Sequence, residues 1–281
     1  MGPTRGISIV LIAPALAMAL ALFVYPLGYS LIGAFQDRGG AWTLANFVRA
    51  WELYRLDTLY TVVIVGVSTL LIAVFSIAIG GYLTLGSSPL ARKMLDWIYR
   101  WPLFVPFIVA ALCMRTFLGR NGMMNNSFVF LGLMDQESAQ SFLDWRGIVV
   151  TFVWKQTPFV TLMVAGAMLG LDRSTIDAAR NLGASRLRVL LEIVVPQIRR
   201  TLAVGLILSF VTMMSVLSVP IMLSGQSPSM LTVNMAWRIN SIGDYGTANA
   251  LGFVSYLLTG LAAWFYLREA VRDKAAQGAP R

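Results

Sequence analysis

Apolar residues run through this chain in long blocks, and polar residues gather in the short segments between them. A helix needs about 20 apolar residues to cross the hydrocarbon core of a bilayer. Six blocks reach that length, and they predict spans at Ile7–Phe35, Leu59–Leu85, Trp97–Leu118, Gly147–Leu171, Leu202–Leu223 and Ala248–Leu267. The pattern predicts an all-α, polytopic membrane protein with six transmembrane helices in a single transmembrane domain, residues 1–281.

Composition supports this interpretation. Charged residues make up 12% of the 281 positions, whereas soluble domains average about 25%. Most of the chain therefore cannot face water, which excludes a soluble enzyme, a disordered chain and a nucleic-acid binder as leading interpretations. The net charge of +9 is typical of loops that face anionic lipid and partner proteins, so we expect no nucleic-acid partner.

Lysine and arginine residues outside the predicted spans divide unequally between the two sides of the membrane. Fourteen lie on one side, at Arg5, Arg92, Lys93, Arg100, Arg173, Arg180, Arg186, Arg188, Arg199, Arg200, Arg268, Arg272, Lys274 and Arg281. Six lie on the other, at Arg38, Arg49, Arg55, Arg120, Arg146 and Arg238. The positive-inside rule places the richer side, with both termini, in the cytoplasm.

The residues needed for bond chemistry are scarce. The sequence has no His, so a His general base and a His metal ligand are both excluded. None of the three lysines, Lys93, Lys155 and Lys274, follows a Gly in a phosphate-binding loop. We therefore expect no catalytic residue, no metal site and no cofactor bound by this chain.

The most informative stretch lies between the fourth and fifth spans. Ser174 or Thr175 can cap the start of a short helix, and Asp177 favours its first turn. Ala178 and Ala179 make one surface small and smooth, so that another protein can approach closely. Gly183 stands where such a helix would stop, because Gly tolerates the left-handed cap conformation.

A second helical stretch follows Gly183, with apolar residues along one side at Leu187, Leu190, Leu191 and Val194. Pro196 then allows a bend before the fifth span. Two interpretations are open on these residues alone. The segment is either a rigid lever between two spans or an amphipathic loop helix that lies on the lipid surface.

The residues Asp177-Ala178-Ala179, Gly183, Ile193, Val195 and Pro196 resemble the cytoplasmic loop signature of permease subunits of binding-protein-dependent ABC importers. That signature reads Glu-Ala-Ala, three residues, Gly, nine residues, Ile, one residue, Leu-Pro. Every spacing matches, with Asp in place of Glu and Val in place of Leu. Together with the six spans, the resemblance covers nearly the whole chain and implies the type I ABC importer permease fold.

The resemblance also implies a mechanism. In that family the loop is a coupling helix, docked in a groove of a cytoplasmic ATPase subunit. Carried over by position, Asp177, Ala178, Ala179 and Gly183 make this contact, and Arg180 flanks it within a coupling segment of about residues 172–200. The expected function is therefore transport rather than catalysis, with ATP and magnesium held by the partner ATPase.

Further partners follow from the same resemblance. Six spans form half of a pathway in this family, so a second permease subunit, identical or homologous, is expected in a bacterial inner membrane. Two ATPase subunits and a periplasmic solute-binding protein complete the importer. The run Asp177–Ser185 looks most like polyamine, iron and phosphonate permeases. A carbohydrate importer is the alternative, and an ion-coupled secondary transporter is disfavoured because no acidic residue lies within a predicted span.

Two charges lie inside the predicted spans, where an ionised side chain is costly unless it faces a pathway or a partner. Arg115 and Lys155 are therefore candidate pathway residues, although Arg115 could instead reach the interface and Lys155 could serve structural pairing. A polar stripe in the fifth span adds Ser215 and Ser218 to the candidates.

Gly166 and Gly170 permit close packing of the fourth helix. Charges in the outer loops, Asp57, Asp244 and Arg238 among them, predict a mixed, nearly neutral surface.

Overall fold

The computed structural model describes residues 12–224 and 227–277, with side chains described up to Trp264. The start of the predicted first span and the basic residues Arg5 and Arg281 lie outside the described residues.

Helices account for nearly all of the regular structure in the described ranges. We number them α1 to α11, and they run over Ile12–Ala34, Ala45–Leu85, Pro89–Ile98, Phe107–Leu118, Met123–Phe130, Trp145–Leu169, Arg173–Asn181, Arg186–Ser215, Ser218–Leu223, Leu231–Trp237 and Tyr245–Gln277. Short 3-10 turns lie at Trp101–Phe104 and Gln136–Ser138. The extended pairing in the described residues is one isolated bridge between Gln36 and Trp42. The prediction of an all-α protein is confirmed.

Four helices are long and apolar enough to cross a membrane, namely α1, α2, α6 and α8. A fifth candidate is a bent pair, Pro89–Phe104 with Phe107–Phe130. The sixth predicted span falls within α11, whose side chains are described only as far as Trp264. The count of six spans therefore stays a prediction.

The prediction of one continuous helix for the third span, Trp97–Leu118, was wrong. The chain bends by 107° between Pro89–Phe104 and Phe107–Phe130. Pro106 takes an extended conformation at ψ 147° as the N-cap of α4. The proline ring also disfavours helical geometry at the preceding Val105, which is extended. The fifth predicted span is likewise broken, because α8 ends at Ser215 and α9 starts at Ser218.

The contacts divide the chain into two compact units, which we describe separately. Unit 1 holds the described residues up to Leu56 together with Asn234–Leu257, and unit 2 holds Asp57–Val233 with the residues after Leu257. In unit 1, the rings of Phe35, Phe47 and Phe253 pack at centroid distances of 4.7–5.6 Å. The amide of Asn46 donates to the carbonyls of Ala34 and Gln36, which fixes the turn after α1.

The core of unit 2 is built around α6. Ile148, Phe152, Val160 and Val164 are fully buried along it, in a cluster that continues into α2 and α8. Helix α8 approaches closely, because a Cβ added at Gly205 would lie 3.3 Å from Val160. The burial of α6 makes it the scaffold that positions the segments on either side of it.

Helix α8 contains a π segment at Val189–Val194, between the α-helical residues Arg186–Arg188 and Val195–Ser215. The amide of Val195 donates to the carbonyl of Leu190, five residues earlier. Pro196 stands at the first turn of the α-helical part, where its missing N–H costs little. The bend expected at Pro196 is therefore replaced by one continuous helix.

Candidate functional site

The predicted coupling segment contains a short, well-capped helix, α7. Its N-cap is Asp172, whose carboxylate accepts from the amide of Ser174 at 2.9 Å and from its hydroxyl at 2.6 Å. These bonds from Ser174 lower the pKa of the Asp172 carboxyl below its ordinary value. The expected cap at Ser174 or Thr175 was wrong by two or three residues, because the Asp172 carboxylate accepts the bonds that start the helix. Asp177 accordingly lies beyond the first turn.

The end of α7 is closed by a left-handed glycine, as the sequence predicts. Gly183 has φ +85°. The amide of Gly183 donates to the carbonyl of Arg180, and the amide of Ala184 donates to that of Ala179, each at 3.0 Å. These two bonds form the Schellman motif, which satisfies carbonyls that a helix end otherwise leaves without partners. The coupling segment is therefore rigid at both ends of α7.

The two faces of α7 differ in burial. Ile176 is 7% exposed and belongs to the core cluster of unit 2, and Ala179 packs against that cluster. Asp177, Ala178 and Arg180 are exposed. Four of the five predicted coupling residues therefore lie on α7 and Gly183 lies in the turn after it, with a small alanine and two opposite charges facing outward.

Beyond α7 the chain turns into α8, and the turn is also held. Ser185 caps the start of α8 by accepting from the amide of Arg188 at 3.3 Å. Arg186 donates to the hydroxyl of Ser87 at 3.0 Å. A groove of about 480 Å³ opens here, lined by Ala179, Leu182, Gly183, Ala184, Ser185, Arg188, Val189, Glu192 and Ile193. Leu182 at its edge is 89% exposed.

The second helical stretch buries only part of the predicted face. Val189, Val194 and Ile198 are 0–2% exposed, and Leu190 packs against the same core cluster. Leu187 and Leu191 are 64% and 53% exposed. The prediction of one apolar side therefore holds for Leu190 and Val194 and was wrong for Leu187 and Leu191, because the extra residue per turn in the π segment changes which side chains share a face.

Lys155 is buried at 6% exposure on α6. Its ammonium donates to the carbonyl of Pro102 at 2.6 Å and to that of Leu103 at 3.2 Å, and it lies 5.2 Å from the centre of the Phe107 ring. No acidic side chain pairs with it among the described residues. These contacts hold the break between the Trp101–Phe104 turn and α4.

The other pathway candidates stand on α4, α8 and α9. Arg115 is exposed in the last turn of α4. Ser215 donates to the carbonyl of Thr212 at 2.9 Å at the end of α8, and Ser218 starts α9 beyond the helix break. No hydrogen bond or ion pair in the described ranges joins these four residues to one another. Their assignment to the pathway therefore stays a prediction.

Unit 2 contains a set of buried polar atoms, which includes the hydroxyl of Ser209 in the polar stripe that the sequence indicates in the fifth span. The hydroxyls of Ser68, Thr157, Thr161 and Ser209 and the amide nitrogen of Gln156 are buried without a partner in the described part of the chain. Such groups are rare in protein interiors, because each costs about 1–3 kcal/mol when left unsatisfied. The signal available in the sequence was the recurrence of Ser and Thr inside apolar spans on α2, α6 and α8.

Unit 1 contains a buried charge cluster that was predicted to be an exposed loop surface. Arg238 donates to Asp244 at 3.1 Å and to the hydroxyl of Tyr54 at 2.6 Å, and Arg49 lies 3.6 Å from Asp244. The side chains of Arg238 and Asp244 are only 12% and 9% exposed. Burial acts to raise the pKa of Asp244, but the bond from Thr247 and the charges of Arg238 and Arg49 hold it below its ordinary value.

Asp57 in unit 2 also differs from the prediction. It lies within α2 rather than in a loop, is 6% exposed, and accepts from the amide of Ser229 at 2.7 Å. The neighbouring Thr61 accepts from the amide of Leu231 at 3.0 Å. These bonds fix the chain that leads into α10, so Asp57 has a structural partner and is not available as a surface charge.

Comparison with known proteins adds to this geometry. The family described as "Binding-protein-dependent transport system inner membrane component" matches residues 41–268. The sulfoquinovosyl glycerol transport system permease protein SmoG of Agrobacterium fabrum is 25% identical over 285 residues, covering 94% of this chain and 90% of that protein. The spermidine/putrescine transport system permease protein PotB of Escherichia coli K12 is 24% identical over 261 residues, covering 89% and 93%.

Solved structures resemble the fold. A chain of a bacterial alginate ABC transporter, in complex with a periplasmic protein that binds alginate pentasaccharide, aligns with a TM-score of 0.80. The alignment covers 96% of each chain at 20% sequence identity. The fold observed here is therefore that of an ABC transporter permease.

Proposed function

The chain belongs to the family of binding-protein-dependent transport system inner membrane components, and on that premise we propose that α7 and its glycine cap couple transport to a cytoplasmic ATPase. Membership makes the chain a transport subunit of an ABC importer in the inner membrane, and ATP hydrolysis belongs to partner subunits. The prediction of an ABC importer permease is confirmed.

The construction of α7 supports its role as the coupling helix. Ile176 and Ala179 join it to the core of unit 2, while Asp177, Ala178 and Arg180 face outward. The Asp172 cap and the Gly183 cap close its two ends. A force applied to the outer face therefore passes into α6 and α8 through packed side chains, without first unwinding the helix.

The partners proposed for the complete importer follow from this function. Two ATPase subunits, which hold ATP and magnesium, would contact α7 and its counterpart in a second permease subunit. A periplasmic solute-binding protein would deliver the solute at the opposite side of the membrane. The charge bias supports cytoplasmic placement of α7 and of both termini.

The proposed solute is a small polar organic molecule, of the polyamine or phosphonate type that the run Asp177–Ser185 resembles. A carbohydrate is the alternative, and the relatives named above include permeases for a sugar derivative and for polyamines. Competition for transport by a sulfonated sugar and by spermidine distinguishes the two.

The test of coupling uses the exposed Ala178. Ala178→Asp places a charge on the outer face of α7 without disturbing the packed Ile176, and Ala178→Ser is a control of similar size. The importer is reconstituted in proteoliposomes with its ATPase and binding protein. We expect Ala178→Asp to lose at least about tenfold of the ATP hydrolysis that the loaded binding protein stimulates, because a buried unpaired charge costs several kcal/mol.

Wild-type stimulation and transport in Ala178→Asp would contradict the proposal. A similar loss of stimulated ATP hydrolysis in Ala178→Ser would indicate that the site tolerates no change in side-chain size. Membrane abundance of both variants is measured alongside, because only a change in coupling at normal abundance supports the assignment.

A further inference from the structure

A second surface of unit 2 lies beside the coupling segment and has no role in the proposed coupling contact. It is built on α3, whose first residue Pro89 follows the Ser88 N-cap. Arg186 of the coupling segment donates to Ser87, just before that cap. Helix α3 therefore starts at the same end of unit 2 as the coupling segment.

The first part of this surface is a cationic pocket of about 420 Å³ between α2, α3 and α6. Its charged lining consists of Arg92, Lys93, Arg100 and Asp96. Arg100 pairs with Asp96 at 2.5 Å. The side chains of Arg92 and Lys93 form no hydrogen bond or ion pair with other described residues. The pocket therefore presents two unneutralised cations.

Gly166 gives this pocket its depth. The residue lines the pocket from α6, and a Cβ added to it would meet no heavy atom within 4 Å. The close helix packing that the sequence suggested at Gly166 is therefore absent within the described chain. A larger side chain at this position would fill the pocket without a clash at its first carbon.

The second part is an apolar groove of about 1030 Å³ that shares Lys93, Asp96 and Arg100 with the pocket. The rings of Trp97 and Trp101 meet edge to face at 5.0 Å. They are 63% and 57% exposed, and Phe104 at the far end is 81% exposed. A cationic pocket thus opens directly into a groove walled by aromatic side chains.

The bend of the chain places this surface at the level of the membrane interface. Because Pro89–Phe104 turns by 107° from Phe107–Phe130, a membrane-crossing α4 leaves α3 nearly parallel to the membrane plane. Tryptophan favours this depth, and basic pockets between helices on the cytoplasmic side bind anionic lipid headgroups.

We propose that this surface is a binding site for one anionic phospholipid. Arg92 and Lys93 bind the headgroup phosphate in the pocket, and an acyl chain lies in the groove along Trp97, Trp101 and Phe104. The site goes beyond the coupling function. Only its assignment to the cytoplasmic leaflet rests on the orientation proposed above.

The combination of the two parts selects a lipid over other occupants. A free phosphate would use the pocket but leave the groove uncovered, whereas an amphiphile with an anionic head and apolar tails matches both. A soluble protein surface would have to cover three large exposed aromatic residues that lie at bilayer depth. The charge of the pocket selects an anionic headgroup over a zwitterionic one.

The test is native mass spectrometry of the full chain in detergent with phosphatidylglycerol or phosphatidylcholine of identical acyl chains. We expect at least tenfold greater retention of phosphatidylglycerol. Arg92→Ala/Lys93→Ala should remove the preference, and Gly166→Leu should reduce retention by filling the pocket. The control Arg55→Ala/Arg120→Ala removes two exposed arginines elsewhere and should leave the preference unchanged.

Several outcomes would overturn the proposal. Equal retention of the two lipids, or an unchanged preference in the pocket variants, would show that the site is not selective. Displacement by millimolar inorganic phosphate would identify a phosphate site instead of a lipid site. Cross-links from a photoactivatable phosphatidylglycerol that avoid the linings of both the pocket and the groove would place the bound lipid elsewhere. The measurement needs no ATPase, so its failure leaves the coupling proposal standing.

Discussion

The ammonium of Lys155 lies 2.6 Å from the carbonyl oxygen of Pro102, 53 positions earlier in the chain. Lys155 stands on the buried helix α6, and Pro102 on the turn that precedes the break before α4. A charge in the interior of the protein is thereby matched by backbone carbonyls instead of a carboxylate. The contact ties the bent third segment to the helix at the centre of unit 2.

Replacing Lys155 should loosen that bend. Lys155→Met keeps an unbranched side chain but removes both hydrogen bonds, and a bond to a charged group contributes about 1.5–3 kcal/mol. We expect amide hydrogen exchange in the peptide covering Leu103–Phe107 to become about tenfold faster, since 1.4 kcal/mol corresponds to a factor of ten. Arg55→Met, an exposed cation on α2, serves as the control. Unchanged exchange in Lys155→Met would mean that other contacts hold the break.

Substitutions of Gly183 should differ in their effect on coupling according to how readily the new residue adopts a positive φ. Its φ of +85° is costly for most residues, while a Cβ there would meet no neighbour. Gly183→Val should therefore destabilise the cap of α7 by about 1–2 kcal/mol, and Gly183→Asn by much less, because Asn adopts this conformation more readily. Binding-protein-stimulated ATP hydrolysis in proteoliposomes is the readout. An equal loss of stimulated ATP hydrolysis in both variants would indicate that the size of the side chain, and not the stability of the cap, determines coupling.

Asp244 should make stability depend on pH. The folded pKa of Asp244 lies below its ordinary value. Its contribution is therefore fully present above the unfolded pKa of about 3.9 and is lost as pH falls through the folded value. Asp244→Asn should lower stability at pH 7 by about 2 kcal/mol, or roughly 4–8 °C in Tm.

The pH dependence gives the control for that prediction. Thermal unfolding in detergent is followed from pH 7 to pH 3 for the wild type and for Asp244→Asn. Over the acid part of this range, the Tm of the variant should decrease by less than the Tm of the wild type. Parallel curves would show that the pair of Arg238 and Asp244 does not contribute to the acid sensitivity.

The proposed orientation predicts which exposed positions meet the periplasm. Single cysteines are introduced at Arg120 and Arg180, in a background where the exposed Cys113 is replaced by Ala. An impermeant thiol reagent applied to intact cells should label position 120 and leave position 180 unlabelled until the membrane is opened. The reverse pattern would invert the topology and remove the coupling assignment.

Local rules of helix chemistry account for what the sequence predicted well. The end of α7 follows from one residue, because a left-handed cap favours Gly at position 183. The third span was wrong as one helix because apolar composition set its bounds, although Pro106 within it is a helix breaker that the sequence shows. Arg238 and Asp244 are six positions apart, but the pairing of Arg49 with Asp244 could not be predicted, since about 195 positions separate the two. Such a pairing is set by the fold and leaves no local pattern.

The π segment Val189–Val194 determines which residues of α8 share one face of the helix. A π turn is equivalent to an α-helix with one inserted residue, and one residue corresponds to about 100° of rotation about the helix axis. The nine positions between Gly183 and Ile193 include that inserted residue. Because the π turn takes up the inserted residue locally, a deletion of one residue in this segment would restore a regular α-helix and leave the buried face of Val195–Ser215 towards α6. A one-residue deletion within Val195–Ser215 would instead rotate the residues after it by about 100°, so this segment tolerates a change of length that the helix after it does not.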